Sequence, residues 1–408
     1  MGVKMNMKSI SKSEVKKLPK YPIVVGIPTK NSESTILHVL SNVVEGLTRR
    51  FSERSLIVIA DGHSKDNTID LVEMFPLPKN VDLILAEDEK PYGKGSGVKS
   101  VLEIGKEVDS YSTTIIDSDL VFITPSWIEL LAKPTLYGRA GLVAPFYQRN
   151  KYDGLITNVL VYPFTKAIYG GYRRQPIGGD FSISKPLLYD LLNQEVPHDF
   201  GIDIFLTTTA LVKNYKIGEA ILGIKVHSST RKYVIPKKHI DPMFHQVARQ
   251  MFKMLEQYES VWVNGRKPEY KEISCGIKNR KSIPLKIDTE KIKGSFKGRS
   301  KKNKNMIFKI ARGYDFDLSR RLPKIIGNGK GVGKEDWVKF VYATALYYKH
   351  NKNEKVLDAL LSLWYGRYYN HVKKIRDMSY KEAEAEVESI YKTFKKHREE
   401  FRENYTSV

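Results

Sequence analysis

The stretch TTIIDSDLVF, residues 113–122, closes an apolar run with two carboxylates one residue apart. Aspartate is disfavoured inside strands, so Asp117 and Asp119 mark the point where a buried strand opens into a loop. In open α/β sheets that carboxyl edge is where ligands bind. Upstream, YPIVVGIP (21–28) reads as a strand, SESTILHVLSNVVEGL (32–47) as an amphipathic helix opened by a serine, and SLIVIADG (55–62) as a second strand. NTIDLVEMF (67–75) follows as a short helix, VDLILAED (81–88) as a third strand, GSGVKSVLEIGKEV (95–108) as a helix and YSTTIID (111–117) as a fourth strand. This βαβ rhythm predicts an α/β fold with a mostly parallel, Rossmann-like sheet covered by helices on both faces.

From Gly141 to about Ser228 the pattern continues with shorter strands and irregular loops, and beyond Pro242 it turns helical. The expected organisation is a basic N-terminal extension (1–20), an α/β domain (21–240) and a C-terminal α-helical region (241–408) interrupted by a basic linker (276–334). In the last three helical segments, 334–350, 354–376 and 379–401, aromatic and aliphatic residues recur every three or four positions, the pattern of a helical core. Their Tyr and Trp content suggests packing against the α/β domain or against a second subunit in a homodimer.

Composition bounds the function classes. In 408 residues, 41% are hydrophobic and 28% charged, which is globular rather than disordered. The first 21 residues are polar and Lys-rich, and no run of 18 uncharged apolar residues occurs, so no signal peptide or membrane span is readable and a cytoplasmic location is expected. The single cysteine, Cys275, has no disulfide partner, so any metal must be held by oxygen or imidazole. The formal net charge of +22 raises nucleic-acid binding as a possibility, but residues 276–334 alone carry 18 Lys/Arg against 4 Asp/Glu, a local net of 18 − 4 = +14. That stretch, with GRSKKNKN (298–305) and IIGNGKGVGK (325–334), reads as solvated loop, and no nucleic-acid partner is expected.

Several strand ends carry candidate chemistry. IPTKNSES (27–34) leads into a helix whose N-terminus suits an anion, although an Asn-Ser pair also simply caps helices. Asp61 ends the second strand in IADGHSKDNT (59–68), where it serves either as a turn residue or as an acceptor for a base or ribose. Lys94 lies between two glycines in PYGKGSGVKS (91–100), where backbone and ammonium can meet a phosphate; this is not a Walker P-loop, and a Gly-rich connector is the plain alternative. Asp117 and Asp119, with Ser118 between them, can turn toward one divalent ion and a bound diphosphate, and oxygen ligands favour Mg²⁺ or Mn²⁺. His227, in GIKVHSSTRKY (223–233), is either structural or the imidazole that completes such a site.

In this order, PTKNSE, ADGHSKDNT, GKG and DSD resemble the nucleotide-sugar glycosyltransferases of the GT-A fold, with DSD in the place of their Asp-X-Asp motif. More narrowly, RNKYDGLIT (149–157), QPIGGDF (175–181), HDFGID (198–203), VHSSTRKY (226–233), RGYDFD (312–317) and LSLWYGRYYN (361–370) resemble mannosylglycerate synthase and relatives that make glucosylglycerate or glucosyl-3-phosphoglycerate. The resemblance spans almost the whole chain. It implies that Pro28, Thr29, Lys30 and Asp61 surround the nucleotide, with Ser118 beside them. It further implies that Lys94 meets the donor phosphates, Asp117 the ribose or metal, and Asp119 and His227 the metal. Gly178, Gly179 and Asp180 would lie against the transferred sugar, and Arg149, Asp153, Thr157 and Asp203 would grip the acceptor. Without the resemblance, Arg149 and Asp153 are an ordinary i,i+4 surface pair. Asp119, Asp203 and Lys94 are the expected catalytic residues.

The implied donor is GDP-mannose or GDP- or UDP-glucose, a GDP sugar first, and the implied acceptor is D-glycerate or 3-phosphoglycerate. Leu155 stands where phosphoglycerate-using relatives commonly carry an Arg, which tilts the expectation toward unphosphorylated glycerate, although Arg173, Arg174 and Arg231 lie nearby in sequence. Two other classes are kept: a polyprenyl-phosphate glycosyltransferase, and an RNA-binding protein acting through the basic linker.

Overall fold

The computed structural model describes residues 12–87, 93–171, 174–226, 236–264, 274–276, 285 and 287–407. They divide into two compact units, one of residues 1–148, 173–239 and 268–281, the other of 149–172, 240–267 and 282–408.

The first unit is built on eight strands: β1 Ile23–Thr29, β2 Ser55–Asp61, β3 Val81–Glu87, β4 Ser112–Ile115, β5 Leu142–Tyr147, β6 Phe181–Ser184, β7 Ile217–Gly223 and β8 Ser274–Gly276. They form one sheet in the order β3-β2-β1-β4-β6-β5-β7-β8. All neighbours are parallel except β6, which runs antiparallel to both β4 and β5. β1 and β2 are apolar along nearly their whole length and almost entirely buried, as strands covered on both faces must be. Helix Ile36–Arg50 buries Ile36, Val39, Leu40, Val43 and Leu47, a three- and four-residue stripe in the same core as Ile23, Val25, Ile57 and Ile59. Helix Lys94–Glu107 lies so close to the sheet that a Cβ at Gly26 would overlap the Val101 side chain.

The chain moves outward from β1 to β2 and β3, then returns to place β4 on the other side of β1. The carboxyl ends of β1 and β4 therefore flank a topological switch point, the position where open α/β sheets bind ligands.

In the second unit, a π-helical turn Thr157–Val161 runs into helix Tyr162–Tyr169, and seven helices occupy 289–406. Its core is aromatic: Phe164, Phe252, Tyr342, Phe394 and Phe401 interlock, with Tyr342 stacked on Phe401 at 4.3 Å between ring centroids. Trp262 stacks on the same Phe401 at 5.6 Å. Such pairs add about 0.5–1.5 kcal/mol each beyond the area they bury.

Three expectations are corrected. Residues 149–172 belong to the helical unit rather than to the α/β domain, because Phe164 and its neighbours fill the aromatic core. The sheet regains a strand beyond Pro242, since β8 adds to β7. Most of the basic linker is not loop: helices Thr289–Lys302, Lys304–Arg312 and Phe316–Asn328 bury Ile292, Phe296, Ile307, Ile310, Leu318 and Leu322 and turn their lysines outward. Asp288 and Asp315 cap two of them through their side chains, which is the start signal that the Gly- and Lys-rich composition obscured.

Candidate active site

At the carboxyl edge of β1, residues 29–35 and 61–68 are stitched together. Asn31 N–H donates to Ser64 Oγ (2.9 Å), Lys65 N–H to Asn31 Oδ1 (2.8 Å) and Ser32 N–H to Thr68 Oγ1 (2.8 Å). Pro28 is half-buried, Thr29 is buried with its hydroxyl on the Ile27 carbonyl, and Lys30 is exposed. Asp61 closes its own turn, since its two oxygens accept from Ser64 N–H (2.9 Å) and Ser64 Oγ (2.6 Å). The turn reading of Asp61 is thus what this geometry shows, although each oxygen keeps a second lone pair. Ser118 is tied to the same edge, its hydroxyl 2.9 Å from Ser32 Oγ and its carbonyl accepting from Thr35 Oγ1 at 2.8 Å.

A polar cluster surrounds Asp117, two residues beyond β4. Lys94 Nζ lies 2.9 Å from Asp117 Oδ1 and Lys225 Nζ 2.8 Å from Asp117 Oδ2, so each carboxylate oxygen has its own ammonium. Lys94 also reaches Asp203 Oδ1 at 3.3 Å and the Gly179 carbonyl at 3.3 Å. Lys225 is held further by Asp180 Oδ2 at 2.5 Å and by the Gly178 carbonyl at 2.8 Å. Asp180, fully buried, accepts from the Asp117 N–H at 2.8 Å and from the Tyr147 hydroxyl. Three carboxylates thus share two ammoniums, a local charge of −3 + 2 = −1 before the half-buried Asp119 is counted.

Local sequence explains the placement. Lys94 begins a helix whose first turn packs against 197–199, and a Cβ at Gly93 or Gly95 would strike the carbonyls of His198 or Pro197. Gly179 has φ +100°, and a Cβ there would overlap both the Asp117 carboxylate and the Lys225 ammonium. Gln175 pairs both backbone groups of Tyr147, accepting from its N–H (3.2 Å) and donating to its carbonyl (2.7 Å).

Burial by itself would lower the Lys94 pKa, but the charges of Asp117 and Asp203 reverse this and hold it above the ordinary lysine range. Burial pushes the Asp203 carboxyl up; Lys94 opposes that shift and Asp117 adds to it. Lys94 is accordingly a cation at all physiological pH, held by two carboxylates that a more negative group can replace.

Not every expected residue joins this cluster. Both oxygens of Asp117 face lysines, and each keeps a second lone pair for a further partner. Asp119 follows it in the turn, and Val121 N–H donates to the carbonyl of Val226 at 2.8 Å, which ties this turn to the residue before His227. His227 itself, with Arg173 and Arg231, lies outside the described residues. Among the described residues no three His, Cys, Asp or Glu side chains cluster as a metal site. Arg174 is buried, its N–H on Glu219 Oε1 at 2.8 Å.

Arg149, Asp153 and Thr157 fall in the helical unit. There Arg149 Nη1 stands 3.4 Å from Asp153 Oδ2, the i,i+4 pair, and Thr157 begins the π-helical turn. The Asp153 charge acts on Tyr368, whose hydroxyl is pushed up to about 12, by burial first and by Asp153 second. Leu155 is buried. Lys225, Tyr147 and Gln175 were missed by sequence reasoning. A lysine two residues before His227, just past a mostly apolar strand, was the available signal.

Residues 24–186 match the family described as Glycosyl transferase family 2. The chain is 25% identical to an uncharacterized protein of Methanocaldococcus jannaschii over 239 residues, 56% of this chain and 97% of that one. It is similar to the crystal structure of glucosyl-3-phosphoglycerate synthase from Mycobacterium tuberculosis in complex with Mn²⁺, uridine diphosphate and glucosyl-3-phosphoglycerate, at 19% identity and a TM-score of 0.45, over 63% of this chain and 87% of that one. A second structure of that enzyme, with Mn²⁺, UDP-glucose and phosphoglyceric acid, gives 20% identity and a TM-score of 0.45 over 63% and 86%. Residues 24–186, the stretch that matches glycosyl transferase family 2, span the sheet from β1 to β6 and contain Lys94, Asp117 and Asp180, and the mostly parallel sheet with its helices is of the GT-A type.

Proposed function

We propose that this chain is a divalent-metal-dependent, retaining hexosyltransferase. It moves mannose or glucose from a nucleoside diphosphate sugar, a GDP sugar first, to the 2-hydroxyl of D-glycerate, giving a small anionic compatible solute. The observation that carries this reading is Lys94: a buried ammonium at the carboxyl edge next to the sheet's switch point, shared between Asp117 and Asp203. An arriving diphosphate exchanges for one of these carboxylates, so the cation is in place without a large reorganisation.

By the sequence resemblance, Asp119 and His227, with Asp117 beside them, would hold a divalent ion, which would neutralise the diphosphate leaving group as a Lewis acid. Asp61, Thr29 and Lys30 line the nucleotide end of the site in this reading, and Gly178 to Asp180 the sugar end. By the sequence resemblance, Arg149 exchanges its long contact to Asp153 for the acceptor carboxylate, a charge-assisted pair with better geometry. Leu155 offers no cation for an acceptor phosphate, which favours glycerate over 3-phosphoglycerate. Retention follows the resemblance, with attack on the face of the departing diphosphate, whose oxygen takes the acceptor proton.

Release of nucleoside diphosphate from GDP-mannose, GDP-glucose and UDP-glucose with Mn²⁺, with and without D-glycerate, tests the proposal. Acceptor-dependent release from one donor supports it, and release that ignores D-glycerate and 3-phosphoglycerate alike refutes the acceptor assignment.

A further inference from the structure

Two lysines sit on one carboxylate, but their surroundings differ. The Lys94 side chain is 14% exposed and divides its contacts among Asp117, Asp203 and the Gly179 carbonyl. The Lys225 side chain is 1% exposed, and its ammonium contacts Asp117, Asp180 and the Gly178 carbonyl. It also lies over the Tyr147 ring at 5.0 Å, while the Tyr147 hydroxyl donates to Asp180. Lys225 therefore joins three elements: the turn after β4, the turn before β6 and the end of β5. Its aliphatic stem is buried and its head has no solvent to turn to, so it does not exchange partners as Lys94 does.

We infer that Lys225 is a positioning residue: a fixed counter-charge that locks Asp117 to the Gly178–Asp180 turn, so that Lys94 can leave Asp117 for a donor diphosphate without setting that carboxylate loose. The inference rests on the proposed donor site for its purpose, but the lock itself is a property of the fold. Gly179 is part of it, because its left-handed backbone lets the turn pass within contact of both charges where a side chain would part them. A lysine fits and an arginine does not. The three oxygens converge on one point, which suits a compact ammonium, whereas a planar guanidinium would need a wider space than this buried pocket has.

The test separates lock from function. Lys225→Met leaves Asp180 buried without its cation, which threatens folding. The decisive variant is therefore Lys225→Met with Asp180→Asn, in which charge and counter-charge leave together. Hydrogen exchange read by mass spectrometry should show peptides over 113–122 and 175–184 exchanging at least roughly tenfold faster in the double variant, with the rest of the α/β unit unchanged. Unchanged exchange in both peptides overturns the lock whether or not any sugar is transferred. In the activity arm, with the donor the wild type uses, the double variant should melt near wild type yet lose transfer in kcat more than in donor KM, with the ratio of donor hydrolysis to transfer rising. Full recovery of kcat in the double variant would mean that Lys225 merely balances the Asp180 charge, and would also overturn the inference. A wild type inactive with every donor would refute the proposed function while leaving the exchange arm decisive.

Discussion

Gly179 and Gly138 form a matched pair of perturbations. Both have positive φ, +100° and +67°, and both lie in the α/β unit, but a Cβ at Gly138 meets nothing within 4 Å while one at Gly179 meets Asp117 and Lys225. Gly138→Ala therefore costs only the backbone penalty of an L-residue in that region, about 1–2 kcal/mol. Gly179→Ala costs the same penalty plus the displacement of a charge-assisted contact, about 1.5–3 kcal/mol more, for a total of roughly 2.5–5 kcal/mol. At about 2–4 °C per kcal/mol for a domain of this size, the melting point should fall by roughly 5–20 °C for Gly179→Ala and by roughly 2–8 °C for Gly138→Ala, with the first fall about two and a half times the second. Calorimetry on both variants, with turnover at a temperature where each is folded, measures the difference. Gly138→Ala should keep full turnover and Gly179→Ala should lose most of it. Equal losses of stability, or a fully active Gly179→Ala, would refute the argument that the turn before β6 is shaped around the charge cluster.

Other consequences follow from the same geometry. Asp119→Ala should abolish Mn²⁺-dependent turnover, because the proposed ion loses its carboxylate, while the half-buried position leaves the melting curve near wild type; a normal metal titration would remove Asp119 from the site. Asp203 binds its proton more tightly when folded, because burial raises its pKa, so the native state holds more protons than the unfolded chain. Stability from this group should fall as pH rises above the ordinary carboxylate value of about 3.9, so the stability of Asp203→Asn relative to wild type should rise across pH 3.5–6 in denaturant titrations. A relative stability of the variant that falls over that range would reverse the assignment. Replacing the exposed Lys301, Lys302 and Lys304 together by Ser should alter salt dependence and solubility but little in turnover; a large loss rescued by low salt would show electrostatic steering of an anionic substrate.

What was legible in the sequence follows from how the signals arise. Buried parallel strands are written as unbroken apolar runs, so β1, β2 and β3 stand out, and the position of Asp117 and Asp119 just past β4 follows from where the run ends. Lys94 was legible because glycines on both sides announce close backbone approach. Lys225 was not, since a lysine at a strand end ordinarily points to water, and only the fold reveals that Asp117, Asp180 and Gly178 surround it. The helices at 289–328 were read as loop because Gly, Asn and Lys outweighed a sparse period: Ile292, Phe296 and Ser300, four residues apart, are the whole buried stripe of the first. That residues 149–172 group with the helical unit is not legible in the sequence, because chain continuity carries no information about which core Phe164 fills.

The central claim is that one hexose passes from a nucleoside diphosphate sugar to a glycerate hydroxyl. Mass spectrometry of the products from GDP-mannose, GDP-glucose and UDP-glucose, each crossed with D-glycerate and 3-phosphoglycerate and with Mn²⁺ or a chelator, tests it most directly. A hexosylglycerate is expected to form with D-glycerate in preference to the phosphorylated acceptor and to disappear with the chelator. No hexosylated acceptor in any combination would contradict it, and a product formed with 3-phosphoglycerate alone would contradict the acceptor assignment drawn from Leu155.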